Sequence, residues 1–171
     1  MEGEQTMSLY IDRSPVSDER LDNALGNLAF FARRERDAAA IYRKLAASEL
    51  VGKIATRAIV PQAQALFPDW KVHFNIEDNS VRRRYLYMYR GDYAKREAVH
   101  IYLATLEEKR IEADKLKEHA KEREKSAAAY TKRAAELPLK VAQLNAVLPY
   151  ILDLEKAAQD ISSYSSRSYG Y

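Results

Sequence analysis

The sequence predicts a mainly α protein: a long antiparallel helical hairpin or coiled coil, with a β-hairpin inserted between its arms and a proline-broken C-terminal helix. Three observations predict it. A helical stripe of apolar residues runs through 16–60, a three-four heptad spacing runs through 92–137, and between them the hydrophobic period drops to two over 70–90. Composition agrees with a packed helical domain. Of the 171 residues 47% are hydrophobic, enough for a core, while five Gly and five Pro are few for a turn-rich all-β protein. The chain has no Cys, which excludes disulfides, a thiol nucleophile and thiolate metal ligation. Its 28 Lys+Arg against 25 Asp+Glu give a net charge of +3, too small by itself to mark a nucleic-acid binder.

At the N-terminus, acids at Glu2 and Glu4 stand where a secretory signal needs a basic lead, and no run approaches the ~20 apolar residues of a spanning helix. A cytoplasmic location without membrane contact is the expectation. Met7, Leu9 and Ile11 share one side of an extended chain, predicting a short strand over 7–12. Ser14-Pro15 reads as an N-cap followed by proline at the first helical position, opening a helix over 16–60. Leu21, Leu25, Leu28 and Ala32 begin its apolar face, and Ile41 and Leu45 continue it. Gly26 and Gly52 within it mark a bend or a close backbone approach.

Trp70, Val72, Phe74 and Ile76 then alternate with polar residues as in a half-buried strand, and Val81–Arg90 returns as its partner. A loop with an even number of residues would place Tyr85, Tyr87 and Tyr89 beside the aliphatics, with Arg82, Arg84 and Arg90 on the reverse; a three-residue loop would put Leu86 and Met88 beside the aliphatics instead. The even loop is preferred, because it separates aromatic from basic side chains.

Gly91-Asp92 reads as a break and a helix cap. From Val99 to Leu137, twelve positions spaced by three and four residues carry ten apolar or aromatic side chains, interrupted by Lys109 and Arg123. A continuous helix over 92–137 would be roughly 69 Å long. Its seam is expected to zip against the first helix, or in part against a second copy, giving a homodimer through 99–137. Pro138 should end it, and a helix over 139–161 should be broken at Pro149. Residues 1–161 form one helical domain in this reading, and 162–171 a flexible Ser/Tyr tail.

The candidate site is the basic-aromatic run Arg82, Arg83, Arg84, Tyr85, Tyr87, Tyr89 and Arg90, with Tyr93, Lys95 and Arg96 following. Tyrosines supply contact area at low entropic cost, and arginines supply directional bonds to carboxylate or phosphate. A plain structural alternative is that the tyrosines line the hairpin's core and the arginines solvate it. A second cluster, Arg33-Arg34-Glu35-Arg36 with Arg43-Lys44, reads as a solvated helix face. Glu97-x-x-His100 is half of a di-metal bundle motif whose other half is missing, so no metal and no cofactor are expected. Arg90-Gly91-Asp92 spells an adhesion tripeptide but is explained by a turn and a cap.

No phosphate loop, nucleophile elbow or HExxH motif is present, so no catalytic residue is assigned. The expectation is a non-enzymatic interaction protein with a protein partner, in size and style similar to bacteriophage inhibitors or accessory factors. Nucleic-acid binding through the same hairpin comes second, and an enzyme third.

Overall fold

The computed structural model describes residues 14–167, with side chains described through Ser162. The expected strand over 7–12 lies outside the described residues. Within them, three α-helices, α1 (Asp18–Ala46), α2 (Val60–Leu66) and α3 (Ala113–Arg167), accompany three strands, β1 (Lys71–Glu77), β2 (Arg83–Arg90) and β3 (Glu97–Thr105). The fold is therefore mixed, helix-rich with one antiparallel sheet in the order β1-β2-β3. No helix among the described residues is long and apolar enough to cross a membrane. The described residues divide into two compact units, Gly26–Ala134 and a second composed of those before Gly26 with those after Ala134.

The larger unit holds the core. Val72 and Phe74 of β1, Leu86 and Met88 of β2, and Val99, Ile101 and Leu103 of β3 form one buried sheet face. Tyr42 and Leu45 of α1, Phe67 following α2, and Leu116 and Ala120 of α3 pack into the same cluster. Cross-helix contacts pair Phe31 with Tyr130, Glu35 with Arg123 and Tyr42 with His119, so α1 and α3 run antiparallel within this unit. Gln64 locks α2 to β1: its carbonyl accepts the Val72 N–H, and its amide donates to the Phe67 and Trp70 carbonyls.

Several expectations are corrected. The first helix starts at Asp18 rather than 16, with the Ser17 hydroxyl accepting the Arg20 N–H, so Ser17 and not Ser14 caps it. It ends at Ala46 instead of 60. Gly52 adopts φ +86°, and the chain after it pairs with 109–111 through an isolated antiparallel bridge at Ile54 and Arg110, with Gly52 N–H donating to Ile111 O and Ala55 N–H to Lys109 O.

The β-hairpin is present, but its loop spans the five residues 78–82. Met88 therefore faces Val72 and Leu86 faces Phe74, so the preferred even loop is overturned and the side chains take the inverted arrangement, through a loop of five residues rather than three. Leu86 and Met88 are completely buried there, whereas Tyr85, Tyr87 and Tyr89 stay half-buried on the other face.

The long helix over 92–137 is replaced by a 3₁₀ turn at Tyr93–Lys95, strand β3, and a helix that begins only at Ala113. Asp92 makes no side-chain cap. Val99, Ile101 and Leu103 satisfy a two-residue period as well as Val99 and Leu106 satisfy the heptad, and antiparallel pairing with β2 decides between them. Pro138 and Pro149 lie inside α3, which continues to Arg167 through the start of the expected tail. The seam expected for a second copy is not helical at 99–112. From Leu116 to Ala127 it is buried by this chain itself, with Leu116, Ala120 and Ala127 each at most 3% exposed.

In the smaller unit the backbone N–H and carbonyl of Val16 pair with the Asn145 side-chain amide, both bonds at 2.9 Å. Leu139, Val147, Ile151, Leu154 and Ile161 of α3 are exposed.

Candidate functional site

The sheet face opposite the core is aromatic. Register places Lys71, His73 and Asn75 of β1, Arg83, Tyr85, Tyr87 and Tyr89 of β2, and Ala98, His100 and Tyr102 of β3 on it. Val72 and Phe74, Leu86 and Met88, and Val99 and Ile101 lie buried between these positions, so core burial on one face fixes the rings on the other. Six of the rings form a connected ladder across the three strands. His73 stacks on Tyr89 at 5.5 Å and 7°; Tyr89 meets Tyr87 at 5.6 Å; Tyr87 and Tyr85 each meet His100 at 5.3 Å; and Tyr85 meets Tyr102 at 6.2 Å.

Cations cover its ends. The Arg96 guanidinium lies 4.5 Å from the Tyr89 centroid, the Lys71 ammonium 5.8 Å from the same ring, and the Arg83 guanidinium 4.3 Å from Tyr102. Among the described residues none of these three cations forms an ion pair.

The residues singled out in the sequence divide accordingly. Arg83, Tyr85, Tyr87, Tyr89 and Arg96 converge on the ladder. Tyr93, 92% exposed, and Lys95 adjoin it on the 3₁₀ turn, with Arg96 5.6 Å from the Tyr93 ring. Three arginines are spent on structure instead. Arg82 sits in the hairpin loop with φ +47° and pairs with Glu107 and Asp78. Arg84 donates to the carbonyls of Ala55 and Leu106. Arg90 lies 4.2 Å over Trp70 and pairs with Asp37 and Glu97. His73, His100 and Tyr102 belong to the ladder although the basic-aromatic run does not include them; for His100 and Tyr102, the alternation from Ala98 to Ala104 is the signal that carries them.

The helix-face cluster is also more than solvated. Arg33 pairs with Glu97 at 2.6 Å, and Arg43 holds Glu124 through two nitrogens at 2.7 and 2.9 Å, which keeps the Glu124 carboxyl below its ordinary range. Glu35 turns inward, 6% exposed, and accepts from Arg123 with both oxygens. Glu97 and His100 lie three residues apart on a strand, so they project from opposite faces and do not converge on a common ion.

Beside the ladder, a cleft of about 420 Å³ opens over the Glu35–Arg123 pair. Tyr102 of its lining is held from behind the wall by Tyr42, which does not line the cleft and whose hydroxyl accepts the Tyr102 N–H at 2.9 Å. Burial pushes the Tyr42 pKa up, partly offset by that hydrogen bond and by Arg123. No protein-family model matches this chain, and no curated protein or solved structure shows significant similarity to it.

Proposed function

We propose that the chain is a non-enzymatic interaction protein that binds a protein partner through the outer face of its sheet, with the antiparallel α1 and α3 as a coiled-coil scaffold. The observation that carries this reading is the ring ladder itself. An outward patch of six aromatic rings is costly to leave in water unless something covers it. Its rings already occupy one another's faces, and cations lie over Tyr89 and Tyr102. What remains outward is a preorganised surface of ring edges, phenol hydroxyls and guanidinium N–H groups. Tyrosine and arginine of this kind are the commonest anchors of protein interfaces, and preorganisation reduces the entropy lost on binding. The unpaired charge of Lys71, Arg83 and Arg96 selects an acidic partner surface.

Affinity capture with the full chain tests it. Arg83→Glu with Arg96→Glu should abolish capture of a stoichiometric partner while circular dichroism stays unchanged; retention would refute the reading. A second reading, single-stranded nucleic acid, is favoured by the same three acid-free cations. A mobility shift that weakens steeply between low and moderate salt would favour it over protein binding.

A further inference from the structure

We infer that the cleft beside the ladder is a socket for one carboxylate of the protein partner, either an acidic side chain or a chain terminus; this rests on reading the outer face as a protein-binding surface. At about 420 Å³ the cleft falls within the size range of specific ligand sites. Its chemistry comes from three elements: Arg34 and Glu35 of α1, Tyr87, His100 and Tyr102 of the sheet, and Arg123 of α3. Glu35 is buried, and a buried carboxylate is retained only with a compensating cation. Arg123 supplies it, its Nη1 lying 3.1 and 3.2 Å from the two carboxylate oxygens. That pair is neutral as seen from the cleft.

Arg34 then decides the sign. Among the described residues it makes no ion pair, and its guanidinium rests 5.5 Å from the Phe31 centroid with its N–H edges available. The lining thus offers one uncompensated guanidinium beside an imidazole and two phenols. A cation would add to the Arg34 charge, and an apolar group would bury its donors unpaired. A single negative charge with acceptor oxygens, on a stem long enough to fill the remaining space, complements all of them. Tyr87, His100 and Tyr102 belong to both ladder and cleft, so one partner segment covering the rings delivers its acid to Arg34.

The test is a titration of the isotope-labelled full chain, read by the side-chain signals of Arg34, His100 and Arg123. Three peptides serve as probes: acetyl-Tyr-Glu-Tyr-amide, acetyl-Tyr-Gln-Tyr-amide, and acetyl-Tyr-Tyr with a free C-terminal carboxylate. The Glu peptide, the free-terminus peptide or both should shift these three signals, which separates a side-chain from a terminal source. The Gln peptide on the unaltered chain, and whichever carboxylate peptide binds on Arg34→Ala, should bind about tenfold more weakly, the effect of losing one charge-assisted pair. No carboxylate peptide binding more tightly than the Gln peptide, undiminished binding by Arg34→Ala, or no shift at millimolar peptide would overturn the inference. If the peptides fail while Arg83→Glu with Arg96→Glu abolishes partner capture, the socket is wrong and the face reading stands. If they bind the cleft while that variant still captures partner, the face reading is wrong.

Discussion

Burying the Glu35 carboxylate is unfavourable by itself, and the Arg123 contact offsets it. Burial pulls the Arg123 pKa down, the Glu35 hydrogen bond pushes it up, and the net direction is upward. Glu35→Gln should therefore destabilise the fold by about 1–3 kcal/mol in urea denaturation, less than a fully buried pair loses, because the Arg123 side chain is 33% exposed and can hydrate. Tyr42 supports β3 by a different route. Replacing it with Phe leaves the Tyr102 N–H unmet and should cost about 1–2 kcal/mol. Its pKa is raised from 10.0 by burial, so folding favours the neutral phenol. That contribution is complete below the unfolded value and is lost as pH rises through the folded one. Stability should fall above about pH 10, and Tyr42→Phe should flatten that alkaline slope. A slope unchanged by the substitution would place the titration elsewhere.

Strand β1, the hairpin and the presence of long helices were legible in the sequence, because their hydrophobic periods are unambiguous. Strand β3 was not. Val99-His100-Ile101-Tyr102-Leu103 satisfies two periods at once, and the charged run after it extended the helical one backwards. The β-branched Val99 and Ile101 and the Gly91 turn favour the strand, but long-range pairing with β2 settles it, and no local window contains that information. The same gap explains the site. Tyr85, Tyr87 and Tyr89 were visible as a run, whereas the face they share with His73, His100 and Tyr102 depends on register.

Two glycines test the element geometry. Gly91 has φ +86°, and a Cβ there would sit 2.7 Å from the Lys95 carbonyl oxygen, so Gly91→Ala should cost about 1–3 kcal/mol. Gly26 lies within α1, where an added methyl group would meet nothing within 4 Å, and Gly26→Ala should stabilise by about 0.5–1 kcal/mol. Opposite signs in thermal denaturation would support both placements, and a stabilising Gly91→Ala would contradict the turn.

Every member of the main core cluster, from Ala38 to Ala120, lies within the unit Gly26–Ala134. Leu139, Leu144, Val147, Ile151 and Leu154 of the other unit are instead at least 42% exposed. Hydrogen exchange on the full chain should show the slowest amides in β2 and β3, with residues 147–161 exchanging roughly tenfold faster or more. Uniform protection would mean that this helical face is covered.

The recognition surface is tested most directly by mapping amide and side-chain shifts of the labelled chain on adding its captured partner. Binding through the outer sheet face predicts perturbations centred on His73, Arg83, Tyr85, Tyr87, Tyr89, His100 and Tyr102. Perturbations confined to the exposed apolar positions of α3 between Leu139 and Ile161, with those seven residues unmoved, would contradict it.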